Sequence, residues 1–231
     1  MVNLLERTSR AALDLLFPPH CALCRVGGSM LCSSCIGQLP LAEGGRCDRC
    51  WTPLPRAGLC AHCASDDHIA FISIRAPFVM DGEARELVHQ LKYRGMSAVG
   101  EPMGALMAAG VPAGCDLVVP VPLHRGRGRS RGYNQAALLA RRIALMAALP
   151  VDEKAASRIR ATKPLARGMH RDERRAIVAG AFAARPERVE GRRVLLIDDV
   201  VTTGATLDAC AKALIAAGAS SVRCITFARA D

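Results

Sequence analysis

Two sets of residues in this 231-residue chain have types and spacings that chemistry uses. The first is the run Val194-Leu195-Leu196-Ile197-Asp198-Asp199-Val200-Val201-Thr202-Thr203-Gly204-Ala205-Thr206. Four aliphatic residues predict a buried strand, with two acids at its carboxyl end. A turn of small residues then opens a helix. Backbone N–H groups and threonine hydroxyls at a helix N-terminus make a ready anion site. Gly204 allows close approach of a phosphate to the backbone. Asp198 and Asp199 are acceptors only, so they suit sugar hydroxyls or the water on a magnesium ion rather than the phosphate itself.

The second set is eight cysteines in four Cys-x-x-Cys pairs: Cys21/Cys24, Cys32/Cys35, Cys47/Cys50 and Cys60/Cys63. A two-residue gap lets both sulfurs of a knuckle meet one metal, and two knuckles complete a tetrahedral thiolate site. Eight thiolates therefore predict two structural Zn2+ ions. A disulfide framework would need an oxidising compartment. Consecutive pairing gives short loops, and cross-braced pairing satisfies the same spacing. His20 and His62 are bystanders to sites that cysteines already fill. Cys115, Cys210 and Cys224 lie in apolar segments as small buried hydrophobes. Closed four-thiolate sites leave no position for catalysis, so this module serves structure, docking or nucleic-acid contact.

Other elements must position these sets. Residues 3–16 read as an amphipathic helix that stops at Pro18-Pro19. The cysteine-rich module fills the rest of residues 1–66, and a second domain runs from 67 to 231. In that domain apolar runs and helical periodicities alternate. Strands are expected at 69–76, 116–121, 194–197 and 221–227, with helices at 83–94, 134–149 and 206–217. Alternation of this kind predicts an α/β domain: a parallel sheet with helices on both faces, plus the small N-terminal cysteine-rich module. Ligands in such sheets bind at the carboxyl ends of the strands.

Charge narrows the ligand. The net charge is +10, yet residues 123–193 hold 18 Lys/Arg against 6 Asp/Glu and the remainder is slightly acidic. So concentrated a field points to a phosphate-rich ligand, a small polyphosphate or nucleic acid. Aromatic residues are only 3% of the chain, too few for a platform that stacks several bases. The N-terminal residues are charged where a signal peptide is apolar, and the uncharged run 102–115 is too short to span a membrane. The expectation is a cytoplasmic protein with no membrane insertion.

The 13-residue run resembles the phosphoribosyl-pyrophosphate motif of type I phosphoribosyltransferases. Three further segments accompany it. They are His89-Gln90-Leu91-Lys92-Tyr93-Arg94-Gly95, then Pro120-Val121-Pro122-Leu123-His124 with Arg131-Gly132-Tyr133-Asn134-Gln135. The third is Thr162-Lys163-Pro164-Leu165 with Arg171, Arg174, Arg175 and Gly180-Ala181-Phe182. With the cysteine ribbon, this order is similar to the competence protein F (ComF/GntX) family over nearly the whole chain.

The resemblance implies a type I phosphoribosyltransferase-like sheet and a set of roles. Asp198 and Asp199 would hold the ribose hydroxyls. Thr202, Thr203, Gly204, Ala205 and Thr206 would cradle the 5-phosphate. His124 and Arg125 would neighbour the pyrophosphate. The concentrated charge, rather than the resemblance, gives Arg127, Arg129 and Arg131 a role as a phosphate clamp or a DNA-backbone track. Arg171, Arg174 and Arg175 would serve a flexible loop, residues 158–178, that closes over the site. Phosphoribosyl pyrophosphate with Mg2+ is the implied ligand. Single-stranded DNA and a helicase-like competence protein are the implied partners in DNA uptake. Purine-salvage members carry an acid where Thr202 stands, which argues against purine-base salvage. Family members often have Gln at Leu165 or Ala166 and Asn at Ile177 or Val178, so contacts of that loop differ here. No general base stands beside the motif, which leaves open both a transferase with an unknown acceptor and a non-catalytic DNA-handling or adaptor protein that keeps the ligand fold.

Overall fold

The computed structural model describes residues 18–66, 68–124, 126, 131–162 and 171–230. The helix expected at 3–16 lies outside them. Helices α1 (Ser33–Gly37) and α2 (Ala61–Ser65) belong to the cysteine-rich module. The second domain follows with β1 (Ser73–Arg75), β2 (Phe78–Val79), α3 (Gly82–Tyr93), a short 3-10 turn, α4 (Gly100–Ala108), β3 (Leu117–Pro120) and α5 (Gln135–Ala147). Next come β4 (Ala156–Arg158), α6 (Arg171–Val178), β5 (Phe182–Ala184), α7 (Pro186–Val189), β6 (Arg193–Val201), α8 (Ala205–Ala216) and β7 (Ser221–Arg229).

The main sheet runs β1-β7-β6-β3, with β2 continuing along β7 beyond β1, and all of its pairs are parallel. Strands β4 and β5 form a separate antiparallel pair. Side chains alternate across β6. Leu195 and Ile197 join the core that holds Leu87, Leu91, Met103, Leu139 and Ile143 of α3, α4 and α5. Val194 and Leu196 join the other, with Leu207, Cys210 and Leu214 of α8. Helices thus cover both faces, as the strand–helix alternation requires.

Three differences from the sequence reading bear on function. Strand β6 runs on through Asp198 and Asp199 to Val201, where a strand ending at Ile197 was expected. Its partner β7 reaches Arg229 and supplies a ladder that far. On the other side β3 ends at Pro120, level with Ile197, so beyond that point β6 has no strand on that edge among the described residues and the two acids lie beside the opening. The expected strand 69–76 shrinks to Ser73–Arg75. The uncharged run 102–115 hides helix α4. Its Gly100 and Gly104 face α5, where an added Cβ at Gly104 would lie 2.8 Å from Arg142 Cβ and 3.0 Å from the Leu139 carbonyl oxygen. Gly104→Ala is expected to force the two helices apart and cost about 1–3 kcal/mol, read from urea unfolding.

The cysteine-rich module is built onto this sheet rather than hung from it. Cys21, Ala22, Leu31 and Cys35 share the core of α3, and buried Gln90 donates from Nε2 to the Ala22 carbonyl at 2.8 Å. The second half caps the sheet edge. The Arg49 carbonyl accepts the Ile74 N–H at 2.7 Å, and Trp51 Nε1 donates to the Ala76 carbonyl at 2.7 Å. An exposed parallel edge would invite association with another chain, and this contact prevents it.

Candidate functional site

Strand β6 ends by delivering its acids into a cavity of about 300 Å³ lined by residues of six elements and the loops between them. The lining includes Lys92 and Tyr93 from the end of α3, Gln135 from the start of α5, Arg158 from β4 and Arg174 from α6. Asp198, Asp199, Thr202 and Thr206 line it from the β6–α8 connection. Pro120 and Pro122 end β3 early, and Pro122 and Leu123 form one wall. Asn134 holds the wall to α5: its Oδ1 caps the helix through the Ala136 N–H at 3.1 Å, and its Nδ2 donates to the Val121 carbonyl at 3.1 Å.

The acids differ in surroundings. Asp199 is 2% exposed and forms an ion pair with Lys92, Nζ to Oδ1, at 2.8 Å. Its other carboxylate oxygen is buried with no hydrogen-bond partner. Burial works against the charge on Lys92, but the Asp199 carboxylate, with Asp198 beyond it, more than offsets this and holds the ammonium above its ordinary pKa. Asp198 accepts the Asp199 N–H at 2.9 Å. Burial, together with repulsion from Asp199, pushes the Asp198 carboxyl up to about 7, although Lys92 pulls it the other way. The site therefore holds a carboxyl pushed up to about 7 beside one paired with a lysine.

The turn after β6 is shaped for an anion. Gly204 sits at φ +82°, and a Cβ there would lie 3.3 Å from Ile74 Cδ1. It is also the N-cap of α8, where a glycine brings no side chain of its own to the helix's free N–H groups. Thr203 Oγ1 accepts the Ala205 N–H at 3.4 Å. Residues 200–207, with Asp198, surround a hollow of only about 20 Å³, so a phosphate would sit at its mouth rather than inside.

The other residues read from sequence are distributed as follows. Arg174 Nη1 donates to Thr202 Oγ1 at 2.9 Å, which brings α6 onto the turn. Arg175, its neighbour, points the other way and pairs with Asp66 of the cysteine-rich module at 2.5 Å. Arg131 donates to Gln135 Oε1 at 2.6 Å and lies over the Tyr93 ring. His124 sits in the turn just outside the lining, its Nδ1 accepting the Gly126 N–H at 3.3 Å. Arg125, Arg127, Arg129 and the side chain of Arg171 lie outside the described residues. Lys92, Gln135 and Arg158 were not assigned from sequence, because only the fold brings α3, α5 and β4 to the end of β6. The available signal was the resemblance itself, since Lys92 and Gln135 stand in two of the segments that carry it. Lys92→Met is expected to strand the Asp199 charge beside Asp198 and cost about 3 kcal/mol in chemical denaturation, while Lys92→Met with Asp199→Asn should recover most of it. A larger cleft, about 700 Å³ between Trp51 and β1, contains none of the residues assigned from sequence.

The eight cysteines gather in two groups, Cys21/Cys24/Cys32/Cys35 and Cys47/Cys50/Cys60/Cys63, with the four sulfurs of each within 4.8 Å of one another. Pairing is thus consecutive, not cross-braced. Cys24 and Cys32 sulfurs lie 3.6 Å apart, and those of Cys50 and Cys60 3.7 Å apart. A zinc tetrahedron with sulfur bonds of ~2.3 Å has an edge of about 3.8 Å, so both sets fit zinc. The Cys60 and Cys63 N–H groups point at the Cys47 and Cys60 sulfurs, which steadies thiolates in a knuckle. His20 and His62 belong to neither group. Among the described residues no helix is long and apolar enough to cross a membrane.

Comparison with known proteins agrees with this two-part organisation. Residues 12–64 match the family model of the double zinc ribbon domain, and residues 131–231 match that of the phosphoribosyl transferase domain. The chain is 28% identical over 222 residues to competence protein F of Haemophilus influenzae, covering 86% of this chain and 96% of that one. It is 28% identical over 226 residues to the DNA utilization protein YhgH of Escherichia coli K12, covering 90% and 96%. Among solved structures, glutamine phosphoribosylpyrophosphate amidotransferase from B. subtilis, complexed with ADP and GMP, is 20% identical with a TM-score of 0.40. That match covers 56% of this chain and 26% of the amidotransferase.

Proposed function

We propose that this chain, similar to competence protein F and carrying matches to a double zinc ribbon and a phosphoribosyl transferase domain, is a member of the competence protein F family whose cavity binds phosphoribosyl pyrophosphate with Mg2+. The observation that carries this reading is the second oxygen of Asp199. It is a buried acceptor with no partner, a few residues from the N-terminus of a helix whose N-cap, Gly204, has no side chain to offer. A ribose hydroxyl would satisfy the first and a 5-phosphate the second. Asp198 and Asp199 take the ribose hydroxyls. Thr202, Thr203, Gly204, Ala205 and Thr206 take the phosphate. Lys92, Arg158 and Arg174 line the cavity and offer cations to the pyrophosphate. His124 and Arg131, beside the lining, and Arg125, Arg127, Arg129 and Arg171 of the same basic stretch of sequence are the remaining proposed contacts for the pyrophosphate or a nucleic-acid phosphate. Arg175, engaged by Asp66, acts through the position of its helix.

Transfer at the ribose carbon would be mainly a matter of positioning and charge neutralisation, with Mg2+ and these cations meeting the departing pyrophosphate. Apart from Asp198 and Asp199, the cavity's described lining holds no histidine or carboxylate that could take a proton from an acceptor. Binding of the activated ribose is therefore the core of the reading, and release of pyrophosphate to an acceptor pool decides turnover. Calorimetric titration of zinc-loaded protein with phosphoribosyl pyrophosphate should give saturable binding that requires Mg2+. Silence from a well-folded protein would discard the reading.

The charge of residues 123–193 favours a second, compatible role in handling single-stranded DNA taken up by the cell, alongside a helicase-like partner. It also draws on the names of the relatives above. Fluorescence anisotropy with labelled single strands should show affinity that falls steeply between 50 and 200 mM salt, roughly a hundredfold or more if several phosphates are neutralised. Absence of binding at the lower salt would remove DNA from the account.

A further inference from the structure

Helix α6 stands between the cavity and the second zinc ribbon and is gripped on both sides. Consecutive helical residues point about 100° apart. Arg174 therefore reaches Thr202 of the phosphate turn at 2.9 Å while Arg175 reaches Asp66 at 2.5 Å. Asp66 is a built contact. Its side chain is 12% exposed, its Oδ1 accepts the His68 N–H at 3.0 Å, and His62 Nε2 lies 3.3 Å from Arg175. The ribbon in turn fixes Asp66. Arg49, between Cys47 and Cys50, donates from Nη1 to the carbonyls of both Cys63 and Asp66 at 3.3 Å. The Arg49 carbonyl accepts the Ile74 N–H of the sheet edge at 2.7 Å. An unbroken set of contacts thus leads from the sheet edge, through both knuckles of the second ribbon, to the rotation of α6.

We propose that Asp66 is a positioning residue of the phosphoribosyl site: by holding Arg175 it fixes the rotation of α6 and so sets Arg174 against Thr202. The second ribbon then serves the cavity directly. A helix of eight residues is too short to hold its own geometry in water, so contacts from outside must fix it. This inference rests on the binding reading above for its ligand, but not for its mechanical part.

The test uses full-length, zinc-loaded protein. Wild type, Asp66→Ala, Arg175→Ala, Arg174→Ala, Asp66→Ala/Arg174→Ala and the charge swap Asp66→Arg/Arg175→Asp are compared. Zinc content and thermal midpoint serve as fold controls, and Arg175→Ala leaves the ribbon's own residues intact should Asp66→Ala not fold. Hydrogen exchange of the α6 amides in ligand-free protein is the first readout. Protection is expected to fall about tenfold in Asp66→Ala and Arg175→Ala and to return in the swap. Affinity for Mg2+-phosphoribosyl pyrophosphate is the second. Asp66→Ala should weaken it on the order of five- to fiftyfold, and add little further once Arg174 is already alanine. Unchanged α6 protection in both single variants would overturn the proposal, as would losses from Asp66→Ala and Arg174→Ala that simply add. Wild-type protein that binds no phosphoribosyl pyrophosphate would sink the ligand reading, while the exchange data would still decide whether Asp66 holds the helix.

Discussion

Stripping zinc from the folded protein with a strong chelator is expected to release two metal ions per chain and to abolish cooperative unfolding of the second ribbon together with the sheet edge it covers. The reason is what that ribbon holds. Arg49 and Trp51 close the outer edge of β1. Arg229, only 4% exposed at the end of β7, donates to the Cys50 carbonyl at 2.7 Å and to Thr52 Oγ1 at 2.6 Å. Collapse of the knuckle removes these acceptors from a buried guanidinium and uncovers a parallel edge. Structural zinc contributes about 10–16 kcal/mol to small metal-folded domains, as much as the whole net stability of a typical protein, about 5–15 kcal/mol. Cys47→Ser/Cys50→Ser should therefore bind one zinc instead of two, unfold at lower temperature and aggregate. An apo-protein with the same midpoint as the zinc-loaded form would reduce the ribbon to an appendage.

Replacing the acid pair should give the largest effect on ligand binding. Asp198→Asn/Asp199→Asn removes the charged acceptors proposed for the ribose hydroxyls, and hydrogen bonds to charged groups are worth about 1.5–3 kcal/mol each. Calorimetry should show affinity for Mg2+-phosphoribosyl pyrophosphate lower by roughly a hundredfold or more, with zinc content unchanged. The same site predicts a pH dependence with a definite sign. Burial, with Asp199 second, raises the Asp198 carboxyl from 3.8 to about 7. The ligand-free folded protein thus holds a proton that the unfolded chain has lost above about pH 4. Asp198 costs nothing below that pH, and its destabilising contribution grows as pH rises to about 7. Binding that needs the ionised carboxylate should strengthen from pH 6 to 8. The single variant Asp198→Asn should flatten both dependences. A pH-independent affinity in wild type would show that Asp198 is already ionised in the free site.

Much of this protein is legible without its structure. Four Cys-x-x-Cys pairs specify two thiolate sites, because the spacing of two ligands in a knuckle is a local matter. Four aliphatic residues, two acids and a small-residue turn specify a strand, an anion site and a helix in one continuous stretch. The helices at α3, α5 and α8 follow from periodicity and their stop signals. Other features were hidden for stated reasons. Helix α4 carries so little charge that its periodicity is blurred. Strand β6 continues through two acids because β7 runs beside it, a fact of pairing and not of composition.

The tertiary structure alone decided which knuckles share a metal, since consecutive and crossed pairing are equally compatible with the spacing. It alone brought Lys92 to Asp199, because 107 residues separate them and only the packing of α3 against the end of the sheet closes that gap. It also divided Arg174 from Arg175. Sequence places two equivalent cations side by side, and the helix turns one toward the cavity and the other toward the ribbon. Local spacing fixed the chemistry available to this chain. The long-range contacts settled which charges meet, since that depends on elements distant in sequence being held at one end of a sheet.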